Sequence, residues 1–227
     1  QDPNRLVITM PPRHLKSIMV SVALPAWLLG HDPTQRIVCI SYSQDLSDHH
    51  AFLMRKVMLS PWYRRAFPAT RLQPNRQSLA ELTTTQGGYR LSTSVGGTLT
   101  GRGGSVIIID DPHKANEAES DAQRKAVLKW FRNTVPSRLD HPGASIIIVQ
   151  QRLHEEDLAG YTIELDGWQH LNFPAIAEVD EDIEIGEDRW HHRRKGDLLH
   201  PERMSLTDLD RRRLDLGTWH FESQYQQ

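Results

Sequence analysis

The chain has 227 residues, of which 25% are charged and 38% are apolar, and its net charge is -2. This length allows one substantial core or one core with an appendage, and the charge argues against a generally basic nucleic-acid coat while leaving room for a local basic track. The single cysteine, Cys39, excludes an intrachain disulfide and a cysteine-based zinc site, and it fits a reducing compartment.

The first half of the chain alternates between β-rich and helix-forming segments. The apolar run at residues 18–29 is too short to cross a bilayer and is interrupted by Pro25. No signal peptide opens the chain, so we expect a protein with no membrane partner. The predicted elements are strands at residues 5–9 and 36–42, helices at 16–29 and 44–59, and a hairpin of strands at 81–85 and 89–94.

The second half continues this alternation up to about Phe173. Its predicted elements are buried strands at residues 105–109 and 145–149 and helices at 116–138 and 155–165. Alternating strands and helices imply an α/β fold with a parallel sheet and right-handed crossovers. We therefore predict an α/β core over residues 1–173 and a less regular segment over 174–227, with a short amphipathic helix at residues 206–216.

The pair Lys16-Ser17, between the first strand and the first helix, matches the end of the phosphate-loop pattern G-x-x-x-x-G-K-[ST]. The helix dipole and backbone amides face an anion at such a junction. The segment reads Met10-Pro11-Pro12-Arg13-His14-Leu15-Lys16-Ser17, so both glycines are absent, and Arg13 could supply a bidentate donor in their place. We predict that residues 12–17 bind ATP; the alternative is a surface turn that enters a core helix.

Two adjacent aspartates, Asp110 and Asp111, end the apolar run at residues 105–109. In open α/β sheets ligands bind where strands end, and two neighbouring carboxylates repel each other unless a cation lies beside them. We predict that Asp110 holds Mg²⁺ through water, together with Ser17, and that Asp111 prepares the attacking water. The alternative is an N-cap and turn before Pro112. Together with the phosphate loop, the pair predicts an enzyme that hydrolyses ATP.

Two further residues are candidates for the same chemistry. Gln151 follows a buried strand, where its amide could contact the γ-phosphate or its water, although a plain strand-end cap fits equally well. Arg102 lies in the glycine-rich segment 96–104 and could reach the nucleotide of a neighbouring subunit as an arginine finger. A flexible solvated loop is the alternative for Arg102.

At this point several segments together resemble the ATPase domain of a tailed-bacteriophage terminase large subunit. The resemblance runs along nearly the whole chain. Its segments are Leu6 to Ser17, Gly101-Arg102-Gly103-Gly104, Ile109-Asp110-Asp111-Pro112, Gln151 to Gly160, His200-Pro201-Glu202-Arg203, and Phe221 to Gln227.

The resemblance implies a P-loop NTPase of the RecA-like (ASCE) kind, with a C-terminal lid or linker segment. It implies an ATP-driven motor that pushes double-stranded DNA into a procapsid. The implied partners are double-stranded DNA, the portal protein, the small terminase subunit and further copies of the chain in a ring, in the bacterial host cytoplasm with transient docking on the procapsid. A nuclease domain would begin past Gln227, so we expect no DNA cleavage.

The resemblance also implies roles for single residues. Lys16 and Ser17 would take the phosphates and Mg²⁺, Asp110 would be the metal-side acid, and Asp111 would be the catalytic acid. By the same likeness, Arg13 is the arginine of an altered phosphate loop, and Gln151 lies in the coupling motif.

The chain departs from the family pattern at three places. Leu15 stands where relatives carry a small residue before the lysine, so its side chain could crowd the phosphates. Asp111 stands where many relatives carry glutamate, which reaches one methylene further. The chain also starts at the first strand, without the upstream segment that holds the adenine in relatives.

Two basic segments are candidates for DNA contact, although each could simply be a solvated surface. They are the helix that bears Arg124, Lys125, Lys129, Arg132 and Arg138, and the run His191-His192-Arg193-Arg194-Lys195. Two other function classes stay open: a helicase-like ATPase stimulated by nucleic acid, and a non-catalytic assembly module with a degenerate phosphate loop.

Overall fold

The computed structural model describes residues 4–99 and 101–227. Eight strands form one sheet in the order β3-β4-β5-β2-β6-β7-β1-β8. The strands are β1 (Arg5–Thr9), β2 (Arg36–Ser41), β3 (Leu72–Ser78), β4 (Glu81–Thr84), β5 (Tyr89–Ser94), β6 (Val106–Asp110), β7 (Ser145–Gln150) and β8 (Gln169–Asn172). A separate hairpin is formed by β9 (Glu181–Gly186) and β10 (Arg189–Arg193).

The sheet is mainly parallel, which confirms the predicted fold class. In the sheet order β5-β2-β6-β7-β1-β8, each strand is parallel to its neighbours. Strand β4 is antiparallel to both β3 and β5. The two central strands β6 and β7 have the sequences VIIID and SIIIVQ. Both are mostly apolar, because a parallel strand that is covered on both faces of the sheet needs apolar side chains on both faces. The isoleucines of β6 divide between the two core clusters, with Ile108 on one face and Ile107 and Ile109 on the other.

Helices cover both faces of the sheet. They are α1 (Leu24–His31), α2 (Gln44–Leu59), α3 (Pro61–Ala66), α4 (Asp121–Thr134), α5 (Leu158–Ile163), α6 (Leu206–Leu216) and α7 (Thr218–Phe221), with π-helical turns at Ile18–Ala23 and Glu222–Gln226 and a 3₁₀ turn at Pro136–Arg138. The first π-helical turn, α1 and α2 pack on the face that includes Ile108 and the buried Cys39, and α4 and α5 pack on the opposite face. Among the described residues, no helix combines the length and the apolar character that crossing a bilayer requires.

Several boundaries differ from the predicted ones. The predicted helix at residues 116–138 begins only at Asp121, because Lys114 to Ser120 forms turns closed by Glu117 N–H to Lys114 O and Ser120 N–H to Glu117 O bonds of 3.0 Å each. Helix α3 and strand β3 had no predicted counterpart. Strand β3 carries a proline and five polar residues, so it lacks the apolar alternation that marks a strand.

The C-terminal part packs around a small apolar cluster of its own, formed by Ala175, Met204, Leu209, Phe221 and Tyr225. Helix α6 begins and ends as predicted, with a Ser205–Asp208 capping box at its start. The basic run from His191 to Lys195 lies partly in β10 of the β9–β10 hairpin. The division of the chain at residues 173 and 174 stays a prediction.

Candidate active site

The site lies at the carboxyl ends of β1 and β6, which flank β7 in the sheet. The chain leaving β1 is fixed to the end of β7 by a 3.1 Å bond from Met10 N–H to Gln150 O. The chain leaving β6 is fixed to the other side of β7 by a 2.9 Å bond from Asp111 N–H to Val149 O. The phosphate-loop segment and the two aspartates, which are far apart in sequence, therefore meet at one edge.

Lys16 and Asp111 form an ion pair at this edge. The distance from Lys16 Nζ to Asp111 Oδ2 is 3.0 Å, and the side chains are 8% and 24% exposed. An ammonium group buried to this extent requires a charged partner or a bound anion. The pair therefore places a cation and a carboxylate side by side at the carboxyl ends of β1 and β6.

Asp110 is fully buried and is held by two serines from the helical segment after the loop. Ser17 Oγ donates to Asp110 Oδ1 over 3.0 Å, and Ser21 Oγ donates to Asp110 Oδ2 over 2.7 Å. Burial and the neighbouring Asp111 carboxylate raise the pKa of Asp110 to about 7, against the opposing effect of the serine bonds and of Lys16. Because the raised pKa disfavours the charged carboxylate, a nearby cation would stabilise that charged form.

His50 approaches Asp110 from helix α2, with 3.5 Å between His50 Nδ1 and Asp110 Oδ2. Burial, helped by the positive charge of Arg90 and by His49, lowers the pKa of His50 to about 4. The imidazole is therefore neutral at pH 7, and the contact is not an ion pair. Among the described residues His50 Nδ1 has no hydrogen-bond partner, so the imidazole contacts the aspartate without a hydrogen bond.

The glycine-free loop adopts the backbone that glycines would provide. Arg13 and Leu15 both have φ = 67°, in the left-handed region that ordinary side chains avoid, and Asp111 has φ = 45°. Two contacts hold the loop: His14 Nδ1 donates to Pro12 O over 2.9 Å, and Arg203 Nε from the C-terminal segment donates to Arg13 O. Strained backbone of this kind persists where the surroundings over-determine it, which is common at functional sites.

The remaining phosphate-loop candidates differ in exposure. His14 and Lys16 are buried, whereas Arg13 and Leu15 are exposed and Pro12 is half-buried. Burial is the main cause of a lowered pKa at His14. Since Leu15 is 38% exposed, its side chain lies at the surface of the loop and not inside the fold.

Gln151 lies directly beside the aspartates. Its backbone N–H donates to Asp111 Oδ1 over 3.2 Å, and its side chain is half-buried. Its neighbour Gln150, the last residue of β7, is buried, and among the described residues its amide group has no hydrogen-bond partner. The structure thus brings the main chain of Gln151 to the site, by way of Asp111.

Arg102 is not brought to the site. Its guanidinium forms a 2.5 Å ion pair with Glu81 and lies 4.7 Å from the centre of the Tyr89 ring, at the start of β5. Since β5 and β6 run parallel to β2, this position is at the amino ends of the strands, opposite the aspartates. A catalytic role for Arg102 requires a neighbouring subunit and stays a prediction.

The two segments considered for DNA contact use part of their charge internally. Arg124 is buried and lies 3.0 Å from Glu156, and Lys125 lies 2.8 Å from Asp121. Arg193 is buried and donates to Pro174 O over 2.8 Å. Lys129, Arg132 and Lys195 remain exposed.

Ser21 and His50 were missed by sequence reasoning. A signal for Ser21 was present, because it stands four residues after Ser17 and so faces the same side of a helix. No local signal marks His50, whose contact depends on how α2 packs against β6.

Comparisons with known proteins bear on the fold. No protein-family model matches the chain, and no curated protein matches it. The large terminase ATPase domain of Thermus phage P74-26 matches 100% of this chain and 88% of its own, with 14% identity and a TM-score of 0.64. The large terminase of a thermophilic bacteriophage matches 76% of this chain and 41% of its own, with 15% identity and a TM-score of 0.53.

The large terminase of bacteriophage HK97 matches 75% of this chain and 35% of its own, with 16% identity and a TM-score of 0.50. At these identities the likeness concerns the fold. The chain has the α/β fold of terminase ATPase domains, so the resemblance found in the sequence is confirmed at the level of structure.

Proposed function

We propose that this chain is the ATP-hydrolysing motor domain of a phage DNA-packaging terminase. The observation that carries the proposal is the meeting of Lys16 and Ser17 with Asp111 and Asp110 at one edge of a terminase-like sheet. Two independent pairs, one ionic and one hydrogen-bonded, join the same two segments. A surface turn beside an unrelated strand end would not require such pairing.

ATP would bind with its phosphates over residues 12–17. Lys16 supplies a buried ammonium group, and the helical segment that begins beside it directs backbone amides at an anion. The positive φ values at Arg13 and Leu15 support this role, because they bend the backbone as glycines do in an ordinary phosphate loop. Arg13 is exposed and free to donate to the γ-phosphate.

The oxygen atoms of Ser17 and Asp110 fit Mg²⁺. Hydroxyl and carboxylate oxygens are the hard ligands that this ion prefers. Here Ser17 Oγ lies 3.0 Å from Oδ1 of the buried Asp110, whose pKa is raised by burial and by Asp111. When bound with ATP, Mg²⁺ neutralises charge that develops on the phosphate oxygens. Ser21 would hold Asp110 in place by its bond to the other carboxylate oxygen.

Asp111 would accept a hydrogen bond from the water that attacks the γ-phosphate. In the structure its carboxylate is paired with Lys16. Phosphate oxygens compete with that carboxylate for the ammonium group, so nucleotide binding would release Asp111 towards the water. ATP and water are then converted to ADP and phosphate, and the backbone contact of Gln151 with Asp111 passes the change to the end of β7.

The wider role is proposed from the likeness to terminase domains. It comprises translocation of double-stranded DNA into a procapsid, with the portal protein and the small terminase subunit as partners and a ring of copies in which Arg102 reaches a neighbour's site. Residues 1–173 would be the ATPase core, and residues 174–227 a lid or linker. The contact of Arg203 with the carbonyl of Arg13 supports a lid that responds to the phosphate loop.

The test is ATP turnover by the chain with Mg²⁺, with and without duplex DNA. We expect Lys16→Ala and Asp111→Asn each to lower turnover by about 100-fold or more, and we expect DNA to stimulate the starting chain. Lys114→Ala and Asp166→Asn, at exposed positions outside the site, are matched controls that should keep the turnover of the starting chain.

ATP binding is measured separately from turnover. ATP should raise the melting temperature of the starting chain and of Asp111→Asn, but not that of Lys16→Ala. Binding without turnover, restored when copies assemble, would support a site completed by a neighbour. Absence of both binding and turnover would reject the proposal in favour of an assembly module with a degenerate loop.

A further inference from the structure

The basic residues of the chain are unevenly distributed. Residues 49–80 contain six of the 27 lysines and arginines and none of the 29 acidic residues. This segment therefore carries a charge of +6, while the other residues, 21 basic and 29 acidic, carry -8. The segment includes much of α2, all of α3 and all of β3.

The segment forms one continuous surface at the end of the sheet. Strand β3 is the edge strand, and Arg55 Nη1 of α2 donates to its Gln77 carbonyl over 3.0 Å. Arg71 Nη1, just before β3, donates over 3.2 Å to the carbonyl of Phe67, which follows α3 directly. We call this surface the basic edge; its exposed cations are Lys56, Arg64, Arg65, Arg71 and Arg76.

Ion pairing distinguishes the basic edge from other basic parts of the chain. Within residues 4–99 and 101–227, none of the five takes part in an ion pair, whereas Arg124, Lys125 and Arg152 elsewhere each do. Like charges gathered without acidic partners repel one another, and this repulsion opposes folding. A ligand that carries many negative charges would relieve this repulsion.

Protection of an edge strand accounts for only part of this surface. A proline and a charged residue on an edge strand prevent pairing with another chain, and Pro74 and Arg76 of β3 can serve that purpose. Arg64 and Arg65 are on helix α3, which offers no strand edge to protect. A groove of about 390 Å³ extends the surface past β3, lined by Asn75, Arg76, Ser78, Glu81 and Arg102.

We propose that the basic edge binds the phosphate backbone of duplex DNA, without reading the bases. The choice of duplex DNA among polyanions rests on the proposed function. Phosphate contacts from arginine and lysine fix position on the duplex and carry no sequence information, as a motor that moves along any sequence requires. The DNA would then lie at the β3 end of the sheet, away from both basic segments that the sequence singled out.

The experiment measures binding of a short fluorescent duplex to the full chain by anisotropy, without ATP, between about 50 and 200 mM salt. The edge variant is Arg64→Gln/Arg65→Gln/Arg71→Gln. The matched control, Lys129→Gln/Arg132→Gln/Lys195→Gln, removes three exposed charges from the two other basic segments. We expect the edge variant to bind at least about tenfold more weakly, with a salt dependence less steep by about 3, and the control to bind like the starting chain.

Other results overturn the inference. If the edge variant keeps the affinity and salt dependence of the starting chain, the basic edge does not bind the duplex. If the control variant loses as much affinity as the edge variant, duplex binding is not specific to the basic edge. If polyglutamate displaces the duplex as well as unlabelled duplex does, the surface takes acidic polymers in general and the DNA assignment fails. If the triple variant does not fold, Arg64→Gln/Arg65→Gln replaces it, with an expected change in slope of about 2.

The two proposals fail separately. ATP turnover without DNA should be the same in the edge variant, the control and the starting chain. A chain that binds duplex through the basic edge but neither binds nor hydrolyses ATP supports this inference and rejects the proposed ATPase. A chain that hydrolyses ATP but binds duplex equally well without the edge arginines supports the proposed ATPase and rejects duplex binding by the basic edge.

Discussion

The candidate active site and the basic edge hold charge in opposite ways. In the site, Lys16 is paired with Asp111, and Asp110 accepts bonds from Ser17 and Ser21. On the basic edge, five exposed cations share one surface without a described acidic partner. The difference follows from burial, because a charge removed from water needs a partner, whereas an exposed charge remains free for a ligand.

The sharpest test within the site compares two serines on one helical segment. Ser17→Ala removes a proposed ligand of Mg²⁺ and should lower turnover by about 100-fold, whereas Ser21→Ala removes only a support of Asp110 and should cost about tenfold. Turnover measured against Mg²⁺ concentration separates the two. Equal losses would show that Ser17 has no role beyond holding the aspartate.

The next effect concerns the pH dependence of stability. His50 is neutral when folded, with a pKa of about 4 against an ordinary 6.5, so below pH 6.5 the unfolded chain binds the additional proton. Stability should therefore fall as the pH drops from about 6.5 to 4, by about 3 kcal/mol from this residue. Urea unfolding should show that this loss is absent in His50→Gln.

The control for that experiment is His191→Gln, which removes an exposed histidine on strand β10. This variant should keep the pH dependence that His50 contributes, because His191 is not among the groups that shift the pKa of His50. An unchanged profile in His50→Gln would mean that the imidazole is solvated and not buried beside Asp110.

A smaller effect should come from the strained loop. At Leu15, with φ = 67°, glycine relieves a backbone strain that alanine retains, so Leu15→Gly should be more stable than Leu15→Ala by about 1 kcal/mol. The control pair is Leu59→Gly and Leu59→Ala in helix α2, where the order should reverse. The same order at both positions would contradict the left-handed backbone.

The smallest effect on stability is expected from substitutions on the basic edge. Arg64→Gln/Arg65→Gln should change the free energy of unfolding by less than about 0.5 kcal/mol, because both side chains are exposed and free of ion pairs within the described residues. Urea unfolding with an unchanged m-value is the measurement. A large loss would show that these arginines support the fold.

Much of the fold could be predicted because local signals agreed with it. Helix α2 has the predicted bounds Gln44–Leu59, and Ser43 caps it by accepting from Leu46 N–H over 3.3 Å. Helix α3 was missed although Ser60-Pro61, a cap followed by proline, is a recognised helix start. Strand β3 could not be found from its own residues, because only its pairing with β4 makes it a strand.

The site shows the same division between local and tertiary information. The approach of Lys16 to Asp111 could be expected from the parallel order of the strands, which places their carboxyl ends at one edge. The left-handed backbone at Arg13 and Leu15 could not, because nothing in these residue types favours it. Tertiary contacts, such as that of Arg203 with Arg13 O, impose it.

The buried thiol of Cys39 has a practical consequence. It is the only sulfhydryl group of the chain, it is 2% exposed within β2, and burial raises its pKa. Thiol reagents should therefore leave the folded protein unmodified and react only when the sheet opens. A cysteine introduced at a chosen surface position could then carry a spectroscopic label alone, so that distances between copies or to a bound duplex can be measured without first removing the native residue.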